Sequence, residues 1–184
     1  MYSQQAIPTK TRLYKGELFS KIISLHLEIY NKILQNNILQ IDMDKSAQKY
    51  YGLDIRLHNI KIKSRISKIT PTKTGQFVTF WKRSIAGTIT PYDDKDPFDL
   101  LVVNLAQQNK IGQFVFPKSA LVEKNIISSG NNIGKNAFRV YSPWEQNLNK
   151  QAKDTQLWQS NYFIEISDTA SLDIKKLHSL YQIS

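Results

Sequence analysis

The sequence predicts a single α+β domain in which a mixed, mostly antiparallel sheet is flanked by helices. Three observations lead to this prediction. Apolar residues recur at helical spacing from residue 17 to about residue 39, apolar and charged residues alternate after Leu57, and a second helical pattern follows Pro143. With 184 residues, of which 41% are apolar and 11% aromatic, the chain is long enough to bury one sizeable core.

The first half is expected to begin with a flexible basic arm at 1–15, and the globular domain spans 16–184. A short helix or loop at 42–51 follows the first helix. The segment IKIKSRISKI then alternates with a period of two, as a half-exposed strand does. The next strand, QFVTFWKR, has apolar residues on both faces, which is typical of a central strand.

The second half is expected to continue with a hairpin of strands 98–105 and 111–116, and then with a strand in the segment AFRVY. Ser142 and Glu145 have the spacing of a capping box, and Pro143 suits the first helical position. We therefore predict a helix from residue 143 to about residue 162, followed by a last short helix in the apolar tail.

Composition restricts the chemistry and the partners. No cysteine is present, which excludes disulfides, thiolate nucleophiles and cysteine-based zinc sites. No apolar run approaches the roughly 20 residues of a membrane helix, and the N-terminus has no signal-peptide core, so we expect a cytoplasmic protein without membrane association. The chain has 25 Lys and Arg against 15 Asp and Glu, a net charge of +10, and such an excess favours polyanionic partners.

Positive charge is concentrated between residues 55 and 92, which contain eight Lys or Arg and no Asp or Glu. Strand alternation predicts that Lys61, Lys63 and Arg65 share one exposed face, about 6.6 Å apart. This spacing suits the phosphates of an extended single strand. The predicted nucleic-acid-binding surface adds the further cations Lys68, Lys73, Lys82, Arg83, Lys118 and Arg139.

Aromatic and amide side chains are candidates for contacts with bases. We include Tyr141, Trp158 and Gln156, whereas Trp81 and Trp144 fall in apolar patterns that indicate the core. No helix-turn-helix, zinc-finger or basic-zipper pattern is present in the sequence. We therefore expect backbone contacts with little sequence specificity and a preference for single-stranded DNA or RNA.

Several segments together resemble the MepB family. They are ITPTKTGQFVTFWKR, FDLLVV followed by GQFVFPK, RVYSPW, and KQAKDTQLWQSNYF, which cover roughly residues 55 to 165. The resemblance implies a bacterial protein of a family often associated with a multidrug-efflux operon. It also implies a fold akin to the PD-(D/E)xK nucleases, the restriction-endonuclease-like core, and nucleic-acid binding without the full nuclease site.

In nucleases of that fold, an Asp on one strand and a Glu on the next hold a divalent metal, and a Lys two residues after the Glu assists. Matched to the predicted hairpin, Asp99 is the first acid and Lys118 is the Lys, while Phe116 stands at the place of the Glu. Because Phe cannot ligate a metal, the resemblance implies a vestigial site without a metal or other cofactor. A displaced acid, such as Glu28 or an Asp within 93–96, would be needed to restore Mg²⁺ binding.

The leading hypothesis is a non-catalytic protein that binds nucleic acid. A metal-dependent nuclease that uses a displaced acid is the enzymatic alternative. The third hypothesis is a module for protein interaction or small-molecule sensing, in which the positive surface is incidental. No Gly-rich phosphate loop or dinucleotide fingerprint is present in the sequence, so no nucleotide cofactor is expected.

Overall fold

The computed structural model describes residues 20–21, 24, 28–29, 38–44, 47, 51–57, 59–168 and 170–182. The predicted basic arm at 1–15 lies outside these residues, as does most of the predicted first helix. The described positions of that helix up to residue 29 are helical, and Ile29 among them is fully buried, whereas residues 38–39 at its predicted end belong to a strand. Among the described residues, no helix has the length and apolarity needed to cross a membrane.

Besides the helical positions before residue 30, the described part of the chain contains eleven strands and three helices. The strands are β1 Ile38–Met43, β2 Leu53–Leu57, β3 Ile60–Ile66, β4 Lys68–Thr70, β5 Lys73–Thr79, β6 Lys82–Arg83, β7 Ile89–Thr90, β8 Leu100–Gln107, β9 Lys110–Pro117, β10 Ala137–Val140 and β11 Phe163–Glu165. The helices are α1 Lys118–Glu123, α2 Lys150–Ser160 and α3 Ile174–Tyr181.

A mixed six-stranded sheet in the order β1-β2-β3-β8-β9-β11 forms the centre of the fold. Its neighbouring strands pair antiparallel, except β3 and β8, which are parallel. Between these two strands the chain forms β4 to β7, which belong to two smaller sheets, β10-β5-β4 and β6-β7. The predicted α+β class with a mixed, mostly antiparallel sheet is confirmed. The strand predicted at 76–83 is divided between β5, which is central in its three-stranded sheet, and β6.

The large sheet packs differently on its two faces. On one face Ile55 and Ile62 form a core with Leu177 of α3. On the other face the β8–β9 half, including Phe116, packs against Val78 of the small sheet. The β1–β3 half of this second face carries charged side chains instead and forms an open cleft. This uncovered half of the sheet positions the candidate site.

The N-terminal half of the sheet was only partly predictable. The sequence prediction omits β1 and β2 and places a helix or loop at 42–51, although Asp42 and Met43 belong to β1. The signal for β2 is a short alternation in which Leu53, Ile55 and Leu57 are buried. Five residues are few for such a pattern to stand out from neighbouring polar sequence.

The predicted start of the long helix is wrong. Helix α2 begins at Lys150, and its N-cap is Asn149, whose side chain accepts a hydrogen bond from the backbone N–H of Ala152 at 2.9 Å. Ser142 instead starts a turn in which its carbonyl accepts from Glu145 N–H. Asn147 has a φ of 56°, in the left-handed region, so the turn cannot continue into the helix. The last short helix of the tail is confirmed by α3.

A buried chain of polar side chains links the sheet to α3. The Tyr181 hydroxyl donates to Gln113 Oε1, Gln113 Nε2 donates to Asn104 Oδ1, and Asn104 Nδ2 donates to Ser64 Oγ, each at 2.9 Å. Asn104 and Gln113 are fully buried. The chain therefore joins β3, β8 and β9 to α3 through the middle of the sheet.

Replacing Asn104 with Leu is expected to destabilise this chain. A buried polar group that loses its partner costs about 1–3 kcal/mol, so the free energy of unfolding should fall by about that amount. Urea unfolding followed by circular dichroism measures the loss. A change below about 0.5 kcal/mol would show that the network contributes less than a typical buried hydrogen bond.

Candidate functional site

The cleft on the uncovered half of the sheet has a volume of about 450 Å³. Alternate residues of a strand point to the same side, so three strands contribute pairs of polar side chains to it. These are Gln40 and Asp42 from β1, Asp54 and Arg56 from β2, and Lys61 and Lys63 from β3. Lys82, Tyr92 and residues 96–98 complete the lining. The structure thus brings together the predicted site residues Lys61, Lys63 and Lys82.

Lys63 is held inside the cleft by two carboxylates. Its Nζ lies 2.8 Å from Asp54 Oδ1 and 3.8 Å from Asp44 Oδ2, and it sits 5.5 Å from the centre of the Tyr92 ring. Burial alone would lower the pKa of Lys63, but the hydrogen bond to Asp54 and the nearby negative charges raise the pKa above its ordinary value. The ammonium is therefore charged at neutral pH, and its charge is balanced by the protein itself.

Arg65 does not face solvent, and the expectation that it shares an exposed stripe is wrong. Only 1% of Arg65 is exposed. Its Nη2 donates to Asp44 Oδ2 at 2.6 Å, its Nη1 donates to the Ser64 carbonyl at 2.8 Å, and the guanidinium lies 5.6 Å from the centre of the Phe80 ring. The basic run at 55–92 contains no acid, but Asp44, the partner of Arg65, precedes that run in the sequence.

Lys82 is also paired within the chain. Its Nζ lies 2.6 Å from Asp93 Oδ2 and 2.6 Å from Asp96 Oδ2. Burial opposes the charge of Lys82, but the hydrogen bonds to the two acids outweigh it and raise its pKa. The hydrogen bond from Lys82 in turn lowers the pKa of Asp93. These contacts hold the loop before β8 against the start of β6.

Arg56 and Lys61 are the exposed cations of the cleft. They lie directly opposite each other on β2 and β3 and share the cleft face. Within the described part of the chain, neither side chain forms an ion pair or a hydrogen bond. Arg56 is absent from the predicted site because β2 was not recognised as a strand. Two like charges directly opposite on neighbouring strands destabilise the pair, so folding does not explain this arrangement.

The predicted nuclease pair is not assembled at the hairpin of β8 and β9. The carboxylate of Asp99 accepts a hydrogen bond from the backbone N–H of Lys61 at 2.7 Å. Lys118 Nζ turns away and donates to the carbonyls of Asp94 and Asp96, at 3.1 and 2.6 Å. Phe116 is fully buried between aromatic rings. An acid at that position would therefore point into the core.

The other predicted contact residues lie outside the lining of the cleft. Arg139 donates to the Gly75 carbonyl at 2.8 Å and to Thr70 Oγ1 at 2.9 Å. Gln156 Nε2 donates to the Ser142 carbonyl at 2.7 Å, and Trp158 packs against Phe116 with ring centres 5.5 Å apart. Of the remainder, Lys73 and Arg83 are exposed and Lys68 and Tyr141 are half-buried. Arg139, Gln156 and Trp158 thus make contacts within the protein, and the structure does not bring these predicted residues to the cleft.

The strand pair β2–β3 matches the nuclease pattern better than the predicted hairpin does. Asp54 on β2 lies directly opposite Lys63 on β3. The residue two before Lys63, where the pattern has an acid, is Lys61. An ammonium cannot ligate a metal and would repel one, but it can contact an anion. Among the described residues, no group of three His, Cys, Asp or Glu is arranged to hold a metal ion.

Comparisons with known proteins agree with the resemblance seen in the sequence. The family model described as MepB-like matches residues 44–165. A solved structure, "Crystal Structure of MepB", is similar with a TM-score of 0.70 and 34% sequence identity, over 79% of this chain and 95% of that one. No curated protein matches the chain at a significant level. The matched segment contains β2, β3 and all the cations of the cleft, and the chain belongs to the MepB-like family.

Proposed function

We propose that this protein binds the sugar–phosphate backbone of single-stranded nucleic acid at the cleft and does not cut it. The observation that carries the proposal is the pair of exposed cations, Arg56 and Lys61, on adjacent strands, neither of which forms an ion pair with an acid among the described residues. Directly opposite residues have Cβ atoms about 5 Å apart, so one phosphate can contact both side chains. The net charge of +10 attracts the polyanion over a longer range.

The inner cations support the outer pair without binding the ligand directly. Lys63 and Lys82 are each neutralised by Asp side chains, so they keep the floor and one wall of the cleft rigid. Arg65 is buried below them and fixes β3 to Asp44. Phosphate contacts are therefore assigned to Arg56 and Lys61, with Lys73 and Arg83 as further exposed cations.

The proposal that the protein does not cut its ligand rests on the residue at position 61. A hard divalent cation requires several oxygen ligands, and the acid that would join Asp54 is replaced by Lys61. The carboxylate of Asp54 is already paired with Lys63 at 2.8 Å. The cleft thus holds an ammonium group where a nuclease of this pattern places a metal ligand. A positive charge there still favours a phosphate but does not activate water.

A single strand fits the site better than a duplex. Ligand pockets span about 300–1,000 Å³, and the cleft falls in the lower part of that range, which suits one unpaired nucleotide. Phosphate contacts fix the position of a strand without reading its sequence, so weak sequence preference is expected. Trp158 no longer supports base stacking because its ring packs on Phe116.

Fluorescence anisotropy with labelled single-stranded RNA, single-stranded DNA and duplex DNA tests the proposal. We expect tighter binding of the single strands, an affinity that falls with salt, and intact probes after incubation with Mg²⁺ or Mn²⁺. Equal or tighter binding of the duplex would contradict the single-strand preference. Absence of binding at low salt would refute the function and favour a protein-interaction or small-molecule-sensing module.

Replacing Arg56 with Glu is expected to raise stability while weakening binding. The substitution changes a like-charge pair with Lys61 into an opposite-charge pair, and such cross-strand pairs contribute about 0.2–1 kcal/mol. Affinity for single-stranded RNA should fall because one phosphate contact becomes a repulsion. Urea unfolding and anisotropy on the same preparation measure both effects. Unchanged affinity would show that Arg56 does not contact the ligand.

The presence of Asp54 beside Lys63 keeps a metal-dependent nuclease as the second candidate. In that case Asp54 would be a metal ligand, with a further acid supplied from elsewhere in the chain. Cutting that requires Mg²⁺ or Mn²⁺ and is abolished by Asp54→Asn would establish this activity. Loss of cutting in Asp99→Asn would instead place the metal site at the hairpin of β8 and β9.

A further inference from the structure

A second groove lies at the far end of β8, beside the turn that joins β8 to β9. It has a volume of about 520 Å³ and is lined by Gln107, Gln108, Lys110, Pro143, Trp144 and Gln146. None of these residues lines the first cleft. The two sites lie near opposite ends of β8, whose eight residues span about 25 Å. The groove is therefore a separate site.

Trp144 is a fixed aromatic surface in this groove. Its Nε1 donates to Glu165 Oε2 at 3.1 Å, and its ring meets Phe163 edge to face with ring centres 5.2 Å apart. A side chain at Gly112 would collide with Phe163 and approach Trp144, so that close packing requires glycine. Lys110 also lines the groove, and its Nζ lies over the face of the Trp144 ring, 5.5 Å from the ring centre, so a stacked base would displace this ammonium toward its own phosphate.

Three glutamine side chains line the same groove as Trp144. In the described part of the chain the amide of Gln107 has one contact, from the Ser142 hydroxyl at 3.5 Å, and the side chains of Gln108 and Gln146 have no hydrogen-bond partner. Amides carry both donors and acceptors, as do the edges of nucleobases. The groove therefore combines a flat aromatic ring, unused amides and one ammonium.

The backbone at two edges of the groove is unusual. Gln108 has a φ of 55°, and Asn147, next to Gln146, has a φ of 56°. A side chain with a β-carbon is disfavoured in this left-handed region, and Gly is the residue that adopts it freely. Residues kept in such conformations cluster at binding sites, where the side chain has a use. Gln108 thus occupies a turn position that glycine would adopt with less strain.

We infer that this groove binds one nucleotide, with the base stacked on Trp144, the base edge hydrogen-bonded to the glutamine amides, and the phosphate paired with Lys110. A neutral sugar would use the ring and the amides but leave the ammonium without a counterpart. An apolar ligand would leave the amides unpaired. The inference goes beyond the proposed function and does not rest on it, because it uses none of the residues of the first cleft.

Calorimetric titration of the full chain with adenosine 5′-monophosphate tests this site, with tryptophan emission recorded in parallel. The triple variant Gln108→Ala, Lys110→Ala, Gln146→Ala should lower the affinity at least tenfold. Because these side chains are exposed, the thermal midpoint should not change. A matched control, Lys150→Ala with Gln151→Ala on α2, should bind as the wild type does. No binding by the wild type, or equal binding by the triple variant, would overturn the inference.

The variant Gln108→Gly distinguishes a role of the Gln108 side chain in binding from an effect of its backbone conformation on stability. This variant relieves the left-handed backbone but removes one amide, so we expect a thermal midpoint that is unchanged or higher together with a several-fold loss of affinity for adenosine 5′-monophosphate. An unchanged affinity would remove Gln108 from the site. Binding of maltose in place of the nucleotide would show a carbohydrate site and would also overturn the inference.

A second titration shows whether the groove binds a free mononucleotide or the end of a strand. If a 5′-phosphorylated tetranucleotide binds more tightly than the mononucleotide, the ligand is a strand end. If the tetranucleotide binds more weakly, the ligand is the free mononucleotide. In both cases Lys110→Ala reduces the binding. Because the first cleft can also hold a phosphate, the titration is repeated in a variant with charge reversal at Arg56 and Lys61. Mononucleotide binding that persists in this variant and is lost with Lys110→Ala belongs to the groove, so failure of the first cleft and failure of this groove are distinguishable.

Discussion

Replacing Phe116 with Glu is expected to unfold much of the protein rather than to create a nuclease. Phe116 is fully buried, and its ring centre lies 5.4 Å from that of Phe114 and 5.5 Å from that of Trp158. Removing a buried Phe side chain alone costs about 3–5 kcal/mol, and an unpaired carboxylate adds a desolvation penalty. Since domains are stable by only about 5–15 kcal/mol, most of the stability is lost.

Urea unfolding followed by circular dichroism measures this effect, with Phe116→Leu as the control. Leu keeps the site apolar and should retain most of the stability. A folded Phe116→Glu variant that cuts nucleic acid with Mg²⁺ would contradict the assignment of Phe116 to the core. It would also favour a metal site on β8 and β9 over one on β2 and β3.

Replacing Asp44 with Ala is expected to cost about 3–5 kcal/mol because it leaves the Arg65 guanidinium buried without its carboxylate partner. Arg65 is 1% exposed and cannot reach solvent without displacing the segment around Gly52, where an added Cβ would lie 2.9 Å from Arg65 Nη1. The loss should appear in the free energy of unfolding, again from urea titration.

Asp54→Ala is the matched control for this prediction. Asp54 also pairs with a cation on β3, but its side chain is 43% exposed and its partner Lys63 keeps Asp44 nearby. Exposed pairs contribute about 0–1 kcal/mol, so the loss should be much smaller. Equal losses for the two variants would show that burial does not distinguish the two ion pairs. The double variant Asp44→Ala, Arg65→Leu should recover part of the stability.

Strands whose residues alternate or form an apolar run within one continuous segment were predicted from the sequence. The alternation of Ile60 and Ile62 with Lys61 and Lys63 predicted β3, and the apolar runs on either side of the QQNK turn predicted the hairpin of β8 and β9. The capping box at Ser142 was misleading because a later cap, Asn149, starts the helix. A capping motif indicates where a helix can start. Here the left-handed backbone of Asn147 prevents a helix from continuing from Ser142.

The candidate site depended on contacts between segments distant in the sequence. Charge counting identified the basic run at 55–92, but the carboxylates that neutralise Lys63 and Arg65 come from Asp44 and Asp54, which precede it. Lys82 is likewise paired with acids of the loop that follows the run. The exposed cations of the cleft can be separated from the paired ones only when strand neighbours are known.

The same limit applies to the Asp and Lys of the nuclease-like pattern, because two pairs in the sequence have the required order. Asp99 and Lys118 flank two apolar runs, so their order in the sequence satisfies the pattern. Asp54 and Lys63 satisfy it as well, and they face each other across β2 and β3. Sequence order does not separate the two matches, because only the direction of the side chains shows which pair lines an open cleft.

The most direct test of the proposed function is the salt dependence of single-stranded RNA binding for the wild type and for the variant Arg56→Ala, Lys61→Ala. If the two side chains together neutralise one phosphate, the slope of log K against log salt should become less steep by about 0.7. The control Lys150→Ala, Lys153→Ala on α2 should keep the wild-type slope. A double variant with the slope and affinity of the wild type would contradict binding at the cleft.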